Sequence, residues 1–129
     1  MQFIDIHTHY QTYKNDIDTR MQEVMQHSRF IMGPEVQELE GVLADYVGVR
    51  HCITTGSGTV SLEIALRALG IGPGDEVITV PFTWISTAEV IAQVGARPVF
   101  VDIDATTYNM DASLLEAAIT HHTLSLIHI

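Results

Sequence analysis

Residues 51–101 read HCITTGSGTVSLEIALRALGIGPGDEVITVPFTWISTAEVIAQVGARPVFV, and this stretch decides the fold. Residues 51–55 (HCITT) are expected as a short strand, and GSGT at 56–59 as a turn. Apolar residues then recur at helix spacing over 61–69, and Gly70 is placed to end that helix. A loop at 72–75 (GPGD) leads into the apolar run EVITV at 76–80, a second strand. A helix is predicted over 85–93, with Thr83 as its expected cap, followed by a strand over 97–101. Strands alternating with helices favour parallel pairing through helical crossovers, hence an α/β domain.

Working outward, the C-terminal side continues the pattern. A helix is expected over 111–119, and SLIHI at 125–129 reads as the opening of another strand. A sheet that stops on a strand leads us to expect a fragment. The N-terminal side differs. Ile17, Met21, Val24 and Met25 mark one amphipathic helix, and Val36, Leu39, Val42 and Leu43 a second. Pro34 stands at the start of the second, where its missing N–H costs little, and Gly48 at its end. The expected organisation is a helical arm over 1–50 and a partial, truncated α/β domain over 51–129.

The 129 residues carry 6 Lys+Arg against 16 Asp+Glu, a net charge of -10. Such a balance disfavours nucleic acid or an anionic membrane as partner, since phosphate backbones need clustered cations. Hydrophobic residues at 47% argue against disorder. No apolar run approaches the ~20 residues of a membrane span, and no secretory signal is apparent. The single Cys52 suits a reducing compartment, so the cytoplasm is expected, with the thiol buried and inert in its strand.

Three places carry possible chemistry. The first is the turn with Gly58 and Thr59, between a strand and a helix. Free N–H groups and a partial positive charge at a helix start suit a phosphate, while the alternative is an ordinary capped turn. The second is PFTWIST at 81–87, directly after a strand, where open parallel sheets bind ligands. Trp84 either presents a flat face to an aromatic cofactor or fills the helix–sheet core, the reading that pattern alone favours. The third is His7-Thr8-His9. On a strand, residues two apart face the same way, so both imidazoles would reach one metal as in amidohydrolase-like barrels. None of His27, His51, His121, His122 and His128 supplies the further ligands, and surface or capping roles are expected for His7 and His9. Asp102 and Asp104 end a strand, where acids usually satisfy backbone N–H groups of the next turn.

Taken together, these stretches resemble the N-terminal part of the DegT/DnrJ/EryC1/StrS sugar aminotransferases. The matching residues are FIMGPEV at 30–36, Gly58-Thr59 with Leu62, and GPGDEVI at 72–78. Phe82-Thr83-Trp84, GARPVFVDID at 95–104 and LEAAIT at 115–120 complete them. The resemblance runs from Phe3 to about Thr123. It implies the large domain of a fold-type-I, aspartate aminotransferase-like enzyme that depends on pyridoxal 5′-phosphate. The implied reaction moves an amino group from an amino acid, expected to be glutamate, to a nucleotide-linked keto sugar.

By the same resemblance Gly58 and Thr59 bind the cofactor phosphate, Trp84 stacks on its ring, and no metal is expected. The loop at 30–34 contributes to substrate binding near a homodimer interface, and the histidines at 7 and 9 are coincidental. The Schiff-base lysine of the family has no counterpart, because the chain's only lysine, Lys14, lies in the helical arm. Residues 121–129 depart from the family pattern as well. A metal-dependent hydrolase using His7 and His9 and a non-catalytic binding domain are the alternative readings.

Overall fold

The computed structural model describes residues 4–127. Its chain divides into two compact units, Met1–Thr54 and Thr55–Ile129. The first unit contains helices, and the second both helices and strands.

The first unit is helical. Helix α1 spans Ile6–His27, starting eleven residues before the apolar repeat at Ile17. The Asp5 side chain makes that early start possible: its carboxylate accepts the Thr8 N–H at 2.9 Å and the Thr8 hydroxyl at 2.7 Å. A capping acid satisfies donors that a helix start otherwise leaves unpaired. These hydrogen bonds, the backbone one foremost, hold the Asp5 carboxyl below the usual range. Helix α2 spans Pro34–Val47 with Pro34 in its first turn. Gly48 ends it at a φ of 78°, a left-handed conformation glycine adopts without strain, and its N–H reaches the Ala44 carbonyl at 2.9 Å. An Arg20–Glu38 ion pair at 2.8 Å joins α1 to α2.

Gly33, the residue before α2, is buried. A Cβ built there would lie 2.4 Å from the Arg29 carbonyl oxygen. Backbone, unlike the end of a flexible side chain, yields poorly to such overlap. Gly33→Ala is therefore expected to destabilise this unit by about 1–3 kcal/mol, the usual cost of overpacking. A lowered urea midpoint at constant slope is the measurement that checks it.

The second unit contains α3 (Gly58–Ala68), β1 (Glu76–Thr79), α4 (Ser86–Gln93), β2 (Arg97–Phe100), α5 (Ala112–Ala118) and β3 (Thr123–Ile127). The sheet order is β2-β1-β3, all parallel. Central β1 pairs Ile78 with Val99 on one side and with Leu126 on the other. A strand covered on both faces needs an unbroken apolar run, and Val77, Ile78 and Val80 are all buried. Leu66, Ile71, Val90, Ile91, Val94 and Ile127 pack with Val77 in one core cluster. Pro98 is tolerated in β2, which among the described residues has a neighbour on one side only.

Several expectations need correction. Residues 51–55 form no strand: the Thr54 N–H goes to a Glu40 carboxylate oxygen at 2.8 Å rather than to a neighbouring strand. Cys52 is accordingly only half-buried. Thr83 does not cap α4. Ile85 holds the capping position without a side-chain hydrogen bond, and the Thr87 hydroxyl donates back to the Trp84 carbonyl at 3.1 Å. The strand read at 125–129 begins earlier, at Thr123, and its last two expected residues lie outside the described ones.

One buried charge ties the sheet together. Glu76, 4% exposed, is paired with Arg97 of β2 and accepts the Thr120 hydroxyl at 2.8 Å, just ahead of β3. The Arg97 guanidinium first, and then the Thr120 hydroxyl, hold its carboxyl below the ordinary range. A depressed carboxylate contributes stability above its unfolded value of about 4.3, and loses it as pH falls through the lower native value. The urea midpoint should therefore drop across that acidic window, and drop less steeply in Glu76→Gln, which does not ionise. Parallel pH profiles for the two proteins would contradict this.

Candidate functional site

The turn before α3 is built from a cap and its neighbours. The Ser57 hydroxyl accepts the Val60 N–H at 3.3 Å, fixing the start of the helix. Thr55 and Ser61 hydroxyls meet at 2.5 Å across the same turn. No hydrogen bond among the described residues uses the N–H of Gly58 or of Thr59. A Cβ built on Gly58 meets nothing within 4 Å. Two unspent N–H donors at a helix start, with open space beside them, make a favourable place for an anion.

Thr59 connects this turn to the segment after β1. Its hydroxyl donates to the Ser86 hydroxyl oxygen at 3.0 Å, at the first residue of α4. Ser86 is buried, as is Thr87 beside it. Residues 81–85 thus run from the carboxyl end of β1 to a helix start that is bonded to the start of α3. Trp84, on that segment, is 72% exposed. The core-packing reading that its pattern favours is overturned, since Trp84 is not buried between helix and sheet. It borders a cleft shared with Val80, Pro81, Thr83, Thr87 and Phe100. Phe82 instead stacks on Tyr108, with ring centroids 5.8 Å apart.

Of the predicted residues, Gly58, Thr59 and Trp84 fall on two segments that the Thr59–Ser86 hydrogen bond links. Sequence reading missed the contacts of Ser86 with Thr59 and of Tyr108 with Phe82. Both contacts join residues more than twenty positions apart, and local pattern carries no signal for such pairs. The hydroxyl-rich run at 83–87 was the one available hint for Ser86.

The remaining candidates fall away. His7 and His9 lie on helix α1, not on a strand. Residues two apart on a helix diverge by roughly 200°, so the imidazoles cannot share a metal. His9 packs edge-on against Tyr13, and no metal-capable group of three His, Cys, Asp or Glu occurs among the described residues. His27 pairs with Glu35 at 2.8 Å. The rings of exposed His121 and His122 lie tilted against each other, with centroids 3.9 Å apart, and His128 lies outside the described residues. Asp102 accepts the Ile103 N–H, and Asp104 accepts those of Thr106 and Thr107, the turn roles expected of them. Those backbone bonds, Thr107 foremost, hold Asp104 below the usual range. A recess in the first unit, lined by Arg20, Glu35, Glu38, Leu39 and Val42, is bordered by two carboxylates that disfavour a phosphate.

An α/β unit with a parallel sheet and a glycine–hydroxyl turn at a helix start defines the class, and comparison gives the family. Residues 11–129 match the DegT/DnrJ/EryC1/StrS aminotransferase family, and the chain belongs to it. It is 52% identical over 127 residues to the UDP-2-acetamido-2-deoxy-3-oxo-D-glucuronate aminotransferase of Pseudomonas aeruginosa, covering 98% of this chain and 35% of that protein. A DegT/DnrJ/EryC1/StrS aminotransferase from Brucella abortus superposes with a TM-score of 0.93 at 41% identity, over 99% of this chain and 36% of that one. NtdA from Bacillus subtilis, solved with bound cofactor PMP, gives a TM-score of 0.86 at 35% identity, over 91% of this chain and 27% of its own. The chain thus spans about a third of the length of these relatives. Family membership displaces the hydrolase and binding-module alternatives.

Proposed function

We propose that this chain forms the phosphate- and ring-binding part of a pyridoxal-phosphate-dependent sugar aminotransferase. The observation that carries the reading is the pair of unspent N–H groups on Gly58 and Thr59, linked through Ser86 to the exposed Trp84. The residues suit a flat aromatic group that ends in a phosphate. Helix α3 meets the anion with N–H donors and its positive end, and the open space at Gly58 admits a close approach. Trp84 offers a face for stacking. When bound, pyridoxal phosphate supplies the electron sink through which an amino group passes between amino acid and keto sugar.

The Pseudomonas relative's name supports a nucleotide-linked keto sugar as acceptor, and we take an amino acid, glutamate by expectation, as donor. The amine needed for covalent attachment is not among these residues. Lys14 is engaged by Asp18 and lies 5.4 Å from the Tyr10 ring on α1. We place that amine elsewhere in the intact protein, and expect no turnover from the 129 residues alone. A homodimer fits the exposed Met21, Met25, Val42 and Tyr46 of the first unit. No helix among the described residues is long and apolar enough to cross a membrane. A cytoplasmic setting accords with the lone Cys52.

The test of this reading is fluorescence. Binding of pyridoxal phosphate to the intact protein should quench indole emission, and Trp84→Phe should abolish that component. Trp84→Ala should weaken binding about twofold to tenfold, the worth of one aromatic contact. Equal quenching in Trp84→Phe and the unaltered protein would take Trp84 out of the site.

A further inference from the structure

The Thr59–Ser86 hydrogen bond does more than join two helix starts. A hydroxyl has one proton and two lone pairs. With its proton given to Ser86, Thr59 would turn only lone pairs toward an anion, which repels them. If Ser86 donates instead, the Thr59 proton is released for the anion, and the donation polarises it further. Ser86 is suited to that exchange. It is 7% exposed, stands in the first turn of α4, and among the described residues no hydrogen bond commits its own proton elsewhere.

We infer that Ser86 is a positioning residue for the phosphate end of the cofactor, acting through Thr59: the two hydroxyls form a relay whose direction reverses when an anion binds beside Gly58 and Thr59. The inference rests on the proposed phosphate site, and concerns a residue that touches no ligand itself. A purely structural serine would support the site as a whole. A relay serine should matter only when the ligand carries the phosphate.

The experiment compares pyridoxal 5′-phosphate with unphosphorylated pyridoxal on the intact protein, measuring Kd for each. Ser86→Ala should raise Kd for the phosphorylated ligand about threefold to tenfold, the range of one neutral hydrogen bond. Kd for pyridoxal should not change. In a Thr59→Val background, Ser86→Ala should add nothing, since its acceptor is gone. Equal weakening toward both ligands, unchanged or tighter binding of the phosphate ester, or full additivity with Thr59→Val would each overturn the relay. Should Ser86→Ala fail to fold, Ser86→Cys, a near-isostere with a weaker donor, is scored by the same ratio. Gly58→Val separates the layers. If it leaves pyridoxal-phosphate affinity intact, the phosphate site itself is wrong. If it weakens binding while the Ser86 variants do not, only the relay falls.

Discussion

Gly58→Val in the intact protein should lower affinity for pyridoxal phosphate by about 100-fold or more while leaving the fold in place. The two halves of that expectation have separate causes. Beyond its chain neighbours and its own helix backbone, nothing lies within 4 Å of a Cβ built on Gly58, so the branch point of the new side chain is uncrowded. The residue is the first of α3, where a β-branched side chain carries only a few tenths of a kcal/mol in helix propensity. The same open space is the approach to the N–H groups of Gly58 and Thr59. Hydrogen bonds to a charged group are each worth about 1.5–3 kcal/mol, and losing two amounts to roughly 10²–10⁴ in Kd. Isothermal titration alongside a melting curve checks both halves. A large loss of melting temperature would mean that the glycine serves the fold.

Ile91→Ala carries the largest expected effect on stability. Ile91 is fully buried in the cluster with Val77, Val90 and Ile127, where α4 packs on the sheet. Deleting its outer carbons removes transfer free energy and leaves a cavity, together about 2–5 kcal/mol. That is a large fraction of the 5–15 kcal/mol typical of a whole protein. Because α4 begins at Ser86, the same loosening should also reach the Thr59 contact. Chemical denaturation would show it as a lower midpoint. A shift below about 1 kcal/mol would show that the site collapses around the missing atoms, and that the helix is less tightly seated than its burial indicates.

What could be read in advance follows the range over which each interaction acts. Val77 and Ile78 announce a doubly covered strand because burial on both faces leaves no room for alternation. Gly48 and Pro34 mark helix ends through backbone chemistry that belongs to a single residue. Asp5 carries the same kind of signal, and it bears on the alternative metal reading, which requires a strand at His7-Thr8-His9. The capping bonds to Thr8 start a helix there instead, and with the strand goes the apparent metal pair. Residues 51–55 mislead in the other sense. Their composition suits a strand, but a strand also needs a partner, and Glu40 takes the Thr54 N–H instead. Partnership is decided by tertiary structure.

The candidate site divides the same way. Gly58 and Thr59 could be proposed from sequence because glycine at a helix start has a local physical meaning. Trp84 was legible as a position, after a strand's carboxyl end, but not as an exposed face. Ser86 was legible only as one hydroxyl among several, since its contact with Thr59 spans 27 positions.

On the proposed function, the turn before α3 holds the cofactor phosphate while Trp84 covers its ring. A crystal structure of the intact protein with pyridoxal phosphate tests it most directly. Phosphate oxygens are expected within hydrogen-bond distance of the Gly58 and Thr59 N–H groups, with the ring against the Trp84 indole. A phosphate seated away from Gly58 and Thr59, with those N–H groups still facing solvent, would contradict it.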